Sequence, residues 1–475
     1  MTVDRTFVIA GAGLAGAKAA ETLRAEGFTG RILLIGTEDE RPYERPPLSK
    51  GLLLGTADRA DAFVHDPAWY GENDVELRTG TTVGAIDPEK RRVRLSDGDE
   101  LTYDRLLLST GASPRPLAVP GVGLGNVLTL RTLADSDRIS AAVRAGTRLV
   151  IVGSGWIGLE VAAAARGRGA EVTVVTPDAL PLRNVLGDRM AQVFLRLHRD
   201  QGVDFRFGTQ VRELRGDVDV SQVVLTDGTV VPADAVLVAI GVTPNTGLAD
   251  QARLPVDNGV LVDRRLRTAD PDIFAAGDVA NIDHPLLGAR IRVEHWATAL
   301  NTGPVAARAM LGQDVEWDHL PYFFTDQYDL GMEYAGWVPP GAAAEVVVRG
   351  DEQGGEFIAF WTVDGRIAAG MNVNVWDVTD QIQDLVRAGL QGRPGRPGPA
   401  GRPGRAAVGG RDMSEALTRL LRWEESGGNW RVLVRTPDAV ELALLTCDAG
   451  EEVDRLLTAD PAVLDHLGDR DRSGQ

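Results

Sequence analysis

The feature that most constrains this chain is a glycine pattern that occurs twice. Residues 6–16 read TFVIAGAGLAG, and residues 148–160 read RLVIVGSGWIGLE. In both, an apolar strand-like run precedes glycines in Gly-x-Gly-x-x-Gly spacing, and an alanine-rich, helix-like stretch follows. This order is the dinucleotide-binding fingerprint, in which the three glycines allow a tight turn, close approach of a pyrophosphate, and helix–strand packing. Two copies predict two Rossmann-like units that hold two dinucleotides.

The predicted phosphate sites lie where each glycine pattern opens its helix. Backbone amides at a helix N-terminus face an anion and favour its negative charge. The residues expected there are Gly11, Gly13, Ala15 and Gly16 in the first copy, and Gly153, Gly155, Ile157 and Gly158 in the second.

Composition narrows the class of protein. The 475 residues carry a net charge of −18, which argues against a nucleic-acid partner, because such a protein needs a basic face. Cys447 is the only cysteine, so neither an internal disulfide nor a Cys-x-x-Cys redox pair is possible. We expect a cytoplasmic protein with no membrane span, because no run of about 18 apolar residues occurs. The six histidines do not pair at metal-ligand spacing, so no metal site is expected.

The ends of the second strands indicate which ribose each unit binds. An acidic residue is expected there for the ribose hydroxyls. Glu38 follows the predicted strand 31–35 and is the candidate ligand, although a solvated loop carboxylate fits the same position. In the second unit Thr176 stands at that place, followed by Pro177 and Asp178. Thr176 does not repel a 2′-phosphate, yet no arginine follows closely. NADH is therefore favoured and NADPH remains possible.

Later strands end in further candidate contacts. LLLSTG at 106–111 presents Thr110 and Gly111, and the apolar run 236–241 ends at Gly241. DIFAAGDV at 272–279 ends in Gly-Asp, which alone is an ordinary turn. After a strand, in a chain with two fingerprints, it favours a flavin contact. RVEHWATA at 292–299 begins a predicted helix whose N-terminus would stabilise negative charge on a reduced flavin, although a core histidine fits equally. The candidates from these two segments are Gly277, Asp278, His295 and Trp296.

The predicted fold class is α/β, with two Rossmann-like domains, a small α+β domain, a linker and a small α+β tail. The tail is expected to hold a hairpin at 430–445 and two helices, at 416–423 and 451–457. The linker GRPGRPGPAGRPGR is glycine-, proline- and arginine-rich and is interpreted as an extended spacer. The predicted boundaries are 1–113 and 243–317 for a split FAD domain, 114–242 for the NAD(P)H domain, 318–389 for the α+β domain, 390–412 for the linker and 413–475 for the tail.

These motifs together resemble a known family. Residues 1 to about 389 are similar to the FAD-containing ferredoxin reductases of oxygenase systems, a branch of the pyridine nucleotide–disulfide oxidoreductases. The shared motifs besides the fingerprints are RPPLSK at 45–50, STG at 109–111, LRT at 130–132, AAGDV at 275–279, VEHW at 293–296 and FFTDQYDL at 323–330.

The resemblance implies the cofactors and their ligands. It assigns FAD to the first unit and to Arg45, Lys50, Val83, Arg131, Asp278 and Trp296. It assigns NAD(P)H to the second unit and Gly241, with Glu160 near the nicotinamide and paired with Lys50 as the catalytic residues. The implied reaction passes a hydride from NAD(P)H to FAD and then single electrons to a [2Fe–2S] ferredoxin. The oligomeric state is expected to be a monomer or homodimer.

Other functions share these motifs and stay open. One is an NADH oxidase, rubredoxin reductase or monodehydroascorbate-type reductase. Another is a redox-sensing flavoprotein similar to apoptosis-inducing factor, and a scaffold without flavin is a third. The missing Cys-x-x-Cys argues against a disulfide reductase, which needs a redox dithiol beside the flavin.

Overall fold

The computed structural model describes residues 5–391, 420, 429–436, 439–445, 452–468, 470 and 472. The glycine-rich linker, Cys447 and, apart from Leu420, the helix expected at 416–423 lie outside the described residues.

The first fingerprint lies in a parallel five-stranded sheet of order β19-β7-β1-β2-β3. Its strands are β1 (Thr6–Ala10), β2 (Arg31–Ile35), β3 (Val75–Arg78), β7 (Arg105–Leu108) and β19 (Ile273–Ala275). They are short apolar runs because helices cover both faces of a parallel sheet. The β1–β2 register pairs Thr6 with Arg31 and Ala10 with Ile35, so both strands end at the edge where the glycine turn lies. Strand β19 arrives from beyond the second fingerprint, so this unit is built from two stretches of chain.

Smaller elements complete the first unit. Helix α1 packs along α8, where a β-carbon at Gly303 would lie only 2.4 Å from the carbonyl oxygen of Ala15. The elements are α1 (Leu14–Ala25), α2 (Gly51–Leu54), α3 (Pro67–Glu72), β4 (Val83–Asp87), β5 (Arg92–Leu95), β6 (Glu100–Thr102), α7 (Gly247–Gln251), β18 (Val260–Val262), β20 (Ala280–His284), β21 (Ala289–Ile291) and α8 (Trp296–Met310).

The second fingerprint repeats this architecture. Its parallel sheet has the order β12-β11-β10-β16-β9. Its strands and helices are β9 (Val127–Leu128), α4 (Leu133–Ala142), β10 (Arg148–Val152), α5 (Trp156–Gly167), β11 (Glu171–Thr176), α6 (Arg183–Asp200), β12 (Asp204–Phe207) and β16 (Ala235–Val238). An antiparallel trio, β13 (Val211–Gly216), β14 (Val220–Leu225) and β15 (Val230–Pro232), packs beside it, and α6 kinks at Gly187, where φ is 75°.

The chain passes between the two units along one antiparallel pair. Strand β8 (Ala112–Pro114) leaves the first unit and pairs with β17 (Val242–Pro244), which leaves the second. Strand β8 follows β7, which pairs with β1, and β17 follows β16, which pairs with β10. The crossing therefore brings the carboxyl ends of the two parallel sheets toward one region.

The third unit is an antiparallel sheet of order β22-β23-β26-β25-β24 with one helix. Its elements are β22 (Tyr322–Gln327), β23 (Leu330–Gly336), β24 (Glu345–Asp351), β25 (Glu356–Val363), β26 (Arg366–Val373) and α9 (Thr379–Gln391). Buried and half-buried residues alternate strictly along β22, as expected of a strand with one face in the core. The α+β unit predicted from the sequence is confirmed.

The tail forms a three-stranded antiparallel sheet and a helix. The hairpin is present as β27 (Asn429–Arg435) and β28 (Val440–Leu445), followed by β29 (Glu452–Thr458) and α10 (Pro461–Leu467). The prediction of a helix over 451–457 is therefore wrong. That segment pairs along β28, with Val440 opposite Thr458 and Leu442 opposite Leu456, and this sheet pairing overrides the local helical pattern.

Neither a membrane span nor a metal cluster is found in the described part of the chain. No helix there combines the length and the apolar character needed to cross a bilayer. No group of three or more histidine, cysteine or acidic side chains there is arranged to hold a metal ion.

Candidate active site

The first glycine turn has a shape that only glycine allows at two positions. A β-carbon at Gly11, where φ is 120°, would lie 2.1 Å from the carbonyl oxygen of Ser109 on the neighbouring strand end. A β-carbon at Gly16 would lie 2.2 Å from the carbonyl oxygen of Gly11. A β-carbon at Gly13, in contrast, would meet no described atom within 4 Å. The first and third glycines therefore serve packing, and the middle one borders open space.

The second turn repeats this division of roles. A β-carbon at Gly153, where φ is 107°, would lie 2.3 Å from the carbonyl oxygen of Ala239, and one at Gly158 would lie 2.7 Å from that of Gly153. Gly155 again borders open space within the described part of the protein. The two units thus present equivalent uncovered backbone at equivalent places.

These open turns fit a dinucleotide pyrophosphate. Gly13 and Gly155 are the N-cap residues of α1 and α5, and among the described residues neither helix start receives a side-chain cap. The first amides of a helix need an acceptor, and an anion supplies one. Both turns can therefore hold the phosphates of FAD and of a nicotinamide dinucleotide, as the sequence predicts.

Lys50 and Glu160 form a buried ion pair between the two units. The Lys50 Nζ lies 3.0 Å from Glu160 Oε1, and their side chains are 7% and 8% exposed. The Ser49 hydroxyl donates to Glu160 Oε2, and the Thr325 hydroxyl donates to Oε1 at 2.7 Å. Glu160 thus collects donors from the first unit and from the C-terminal unit. The Lys50 ammonium also lies 5.2 Å from the centre of the Phe324 ring.

Glu38 and Arg45 meet beside the first strand ends. Arg45 Nη2 lies 3.0 Å from Glu38 Oε1, and the Tyr43 hydroxyl donates to the same carboxylate. Arg45 also donates to the carbonyl oxygen of Arg131. Burial raises the pKa of Tyr43 to about 12, so its hydroxyl stays a donor at neutral pH. Glu38 is thus a held carboxylate and not a freely solvated one.

Arg131, Gly111 and Asp278 form a second polar group. Arg131 Nη2 lies 2.7 Å from Asp278 Oδ2, and both side chains are largely buried. A β-carbon at Gly111, where φ is 66°, would lie 3.2 Å from that same guanidinium nitrogen. The structure therefore brings together three predicted residues that are far apart in sequence.

The remaining strand-end residues shape the backbone around these groups. The amide of Gly277 donates to Thr302 Oγ1 at 2.9 Å, and a β-carbon at Gly277 would lie 3.2 Å from that of Ala15. The Thr110 hydroxyl donates to the carbonyl oxygen of Asn245 at 2.8 Å. Gly241, with φ of 93°, accepts from the backbone amide of Arg115 at 2.9 Å.

His295 and Trp296 stand at the start of α8. His295 is the N-cap residue, and its ring centre lies 4.5 Å from that of Phe323. Burial lowers the pKa of His295 to about 4, which keeps the imidazole neutral. Trp296 is the first helical residue and meets Phe324 edge-to-face at 6.0 Å. Its indole N–H acts on the Glu44 carboxyl and opposes the rise in the pKa of that group.

The two apolar candidates Val83 and Ile157 differ from each other in burial. Val83 is 7% exposed and packs in the core of the first unit at the start of β4, and its contact with a cofactor stays a prediction. Ile157 is 39% exposed on the first turn of α5, where it borders the open turn of the second unit.

The end of strand β11, where an acidic ribose ligand is usual, carries Thr176 in place of a carboxylate. The Thr176 side chain is buried and bonds to the Ser154 hydroxyl at 3.0 Å, so it faces the protein interior. The half-buried Asp178 is the first carboxylate after it, and it receives a long contact of 3.4 Å from Asn184. Arg183 is bound to Asp188.

Sequence reasoning missed several polar residues of the site. Ser49 and Thr325 lie inside the quoted motifs RPPLSK and FFTDQYDL but received no role. Ser49 directly precedes the predicted catalytic Lys50, and this adjacency is a signal in the sequence. Thr325 has no such signal, because it meets Glu160 only in the folded structure. Glu44 was also missed; desolvation raises the pKa of this half-buried carboxyl to about 7, against the opposing charge of Lys18.

The fold and this site define the class of protein. The model of the pyridine nucleotide-disulphide oxidoreductases matches residues 5–303, and the reductase C-terminal domain matches residues 322–396. The chain belongs to the pyridine nucleotide-disulphide oxidoreductase family, as an FAD-dependent oxidoreductase that uses NADH. The predicted fold class and cofactors are confirmed.

Particular relatives narrow the class further. The chain is 43% identical over 390 residues to the ferredoxin–NAD(+) reductase component of an anthranilate 1,2-dioxygenase system from Burkholderia cepacia, covering 82% of this chain and 95% of that one. It is 38% identical over 380 residues to putidaredoxin reductase from Pseudomonas putida, covering 79% and 90%. The crystal structure of the covalent putidaredoxin reductase–putidaredoxin complex superposes with a TM-score of 0.78 at 36% identity, covering 81% and 93%.

Proposed function

We propose that this protein transfers electrons from NADH, through FAD, to a [2Fe–2S] ferredoxin that serves an oxygenase. The observation that carries the proposal is the buried Lys50–Glu160 pair, which joins the flavin unit to the nicotinamide unit at 3.0 Å. Two relatives that this chain matches over 90% or more of their length are ferredoxin reductases, and this supports the choice of a ferredoxin as acceptor. The single cysteine of the chain supports it too, because a disulfide substrate pathway would need a redox dithiol.

Bound FAD supplies a flavin that accepts two electrons with a hydride and releases them one at a time. The protein binds the two cofactors and orients them. The amides that open α1 and α5 hold the two pyrophosphates, with Glu38 for the FAD ribose. Lys50 and Glu160 fix the region where the two cofactors face each other, which lowers the entropic cost of alignment. The N-terminus of α8, at Trp296, is the positive end of the helix dipole and would stabilise negative charge on the reduced flavin.

The residue assignments and domain boundaries given above are part of this proposal. So is a cytoplasmic location, which the lone cysteine favours. The role of the tail is independent of it: removing residues 413–475 should leave the kinetics of the reductase unchanged.

Steady-state turnover tests the acceptor. NADH and NADPH are supplied in turn, and cytochrome c reduction is measured with and without added [2Fe–2S] ferredoxins. We expect strong stimulation by at least one ferredoxin and slow oxygen consumption without it. Fast oxygen consumption with no stimulation by any ferredoxin would show an NADH oxidase instead. A reduced flavin that persists for minutes in air would identify a redox-sensing protein.

A further inference from the structure

Strand β22 carries two polar side chains where a core would ordinarily be apolar. Thr325 and Gln327 are both fully buried, and their spacing of two residues places them on the same face of the strand. Phe323 shares that buried face. Burying hydroxyl and amide groups costs free energy unless they form hydrogen bonds, so both side chains are expected to have hydrogen-bond partners.

Their contacts form an unbroken chain from Glu160 to helix α6. The Thr325 hydroxyl lies 2.7 Å from Glu160 Oε1, and Gln327 Nε2 lies 3.1 Å from Thr325 Oγ1. Gln327 Oε1 lies 2.7 Å from His198 Nε2. The Tyr328 hydroxyl then lies 3.2 Å from His198 Nδ1. His198 belongs to the last turn of α6 and is fully buried.

The direction of every bond follows from the carboxylate at one end. An ionised carboxylate only accepts, so the single hydroxyl proton of Thr325 points at Glu160. Thr325 Oγ1 must therefore accept from the amide nitrogen of Gln327, which leaves the amide oxygen to face His198. That oxygen also only accepts, so His198 carries its proton on Nε2.

The far end of the chain fits the same direction. Burial lowers the pKa of His198 to about 4, so the ring is neutral at ordinary pH. With the proton on Nε2, the bare Nδ1 accepts from the Tyr328 hydroxyl. All four hydrogen bonds thus point toward Glu160, and such aligned bonds polarise and strengthen one another.

We propose that Thr325, Gln327 and His198 are positioning residues for flavin reduction, and that they act by holding the Glu160 carboxylate in register with Lys50. They connect Glu160 to the C-terminal sheet and to α6 of the second unit, while Lys50 and Ser49 hold it from the first unit. The Lys50–Glu160 pair is therefore held by all three units. The proposal concerns the transfer from NADH to flavin and is independent of which acceptor follows.

A double-mutant cycle separates positioning from folding. The limiting rate of flavin reduction at saturating NADH is measured by stopped flow in the FAD-loaded enzyme. We expect Thr325→Val or Gln327→Met to lower this rate roughly tenfold or more, since small misplacements near reacting groups have effects of that order. Thr325→Ser, which keeps the hydroxyl, should restore the rate. Thr362→Val, on strand β25 of the same sheet, is the matched control and should leave it unchanged.

The same variants are then made in a Glu160→Gln background. If Thr325 and Gln327 act through the Glu160 carboxylate, they cause no further loss there. An equal loss in both backgrounds, or no loss in the wild-type background, would overturn the proposal.

A spectroscopic readout does not depend on turnover. In ¹⁵N-histidine-labelled holoenzyme at pH 7, His198 should show the neutral Nε2–H tautomer, identified by its disappearance in His198→Gln. Gln327→Met should alter that signal while the circular dichroism spectrum stays the same. A protonated ring, or the Nδ1–H tautomer, would break the deduced bond directions and reject the proposal.

Discussion

Lys50 and Glu160 are 110 residues apart in sequence, yet their charged atoms meet at 3.0 Å with almost no exposure to solvent. Lys50 follows the rigid RPPLS segment of the first unit, and Glu160 lies on α5 of the second. Coulomb attraction at this distance is weakly screened when the pair is buried. The pair therefore fixes how the two dinucleotide units face each other.

Removing one partner of this pair should destabilise the protein strongly. Among the described residues, Lys50→Met leaves the buried Glu160 with the Ser49 and Thr325 hydroxyls as its side-chain donors. An uncompensated buried charge costs about 3–5 kcal/mol. Chemical denaturation of the holoenzyme measures the loss. The double variant Lys50→Met/Glu160→Gln removes both charges and should recover part of that stability. Recovery of stability without recovery of flavin reduction would show that the pair serves the reaction, and equal stability of the single and double variants would contradict this account.

The middle glycines of the two turns should affect binding and leave folding intact. Gly13→Ala and Gly155→Ala meet no described atom, and their φ angles of −86° and −81° suit alanine. We expect Gly13→Ala to weaken FAD binding, measured as flavin per polypeptide. We expect Gly155→Ala to weaken NADH binding by at least about tenfold, equivalent to 1.4 kcal/mol, while flavin content stays normal.

The control for these variants is the first glycine. Gly11→Ala would place a β-carbon 2.1 Å from a backbone oxygen at a positive φ, so it should reduce soluble yield and thermal stability. If Gly13→Ala lowered stability as much as Gly11→Ala, the account that Gly13 borders open space and Gly11 serves packing would be contradicted.

The sequence predicts those parts of the site that are encoded locally. The glycine turns, their strands and their helices were all predicted, because each motif occupies a dozen consecutive residues. The hydrogen-bonded chain from Thr325 to His198 is not predicted, because Gln327 and His198 are 129 residues apart and meet only through tertiary packing. The prediction of a helix over the β29 segment is wrong for the same reason, because the partner strand β28 decides its conformation.

Coenzyme preference should depend on Asp178 and not on Thr176. Thr176 faces inward to Ser154, and Asp178 is the first carboxylate beyond the strand. A carboxylate there repels a 2′-phosphate, and Arg183 is already bound to Asp188. We expect Asp178→Asn to reduce the ratio of kcat/KM for NADH over NADPH by roughly tenfold, about the effect of one weakly screened charge. Thr176→Val should leave this ratio unchanged, and a large change in Thr176→Val alone would reverse the assignment.

The neutral state of His198 should make stability depend on pH in a defined window. Burial lowers the pKa of His198 to about 4, below the value of 6.5 in an unfolded chain. Between these values the unfolded state binds the extra proton, so the free energy of unfolding falls as pH falls through this range. Above about pH 6.5 His198 makes its full pH-dependent contribution to the free energy of unfolding, which amounts to roughly 3 kcal/mol. We expect the difference in stability between wild type and His198→Gln to shrink steadily from pH 7 to 4, as measured by denaturant titration. Tyr328→Phe keeps the titrating ring and should still lose stability as pH falls through this range. A difference between wild type and His198→Gln that stays constant across this range would show that His198 is not buried in its neutral form.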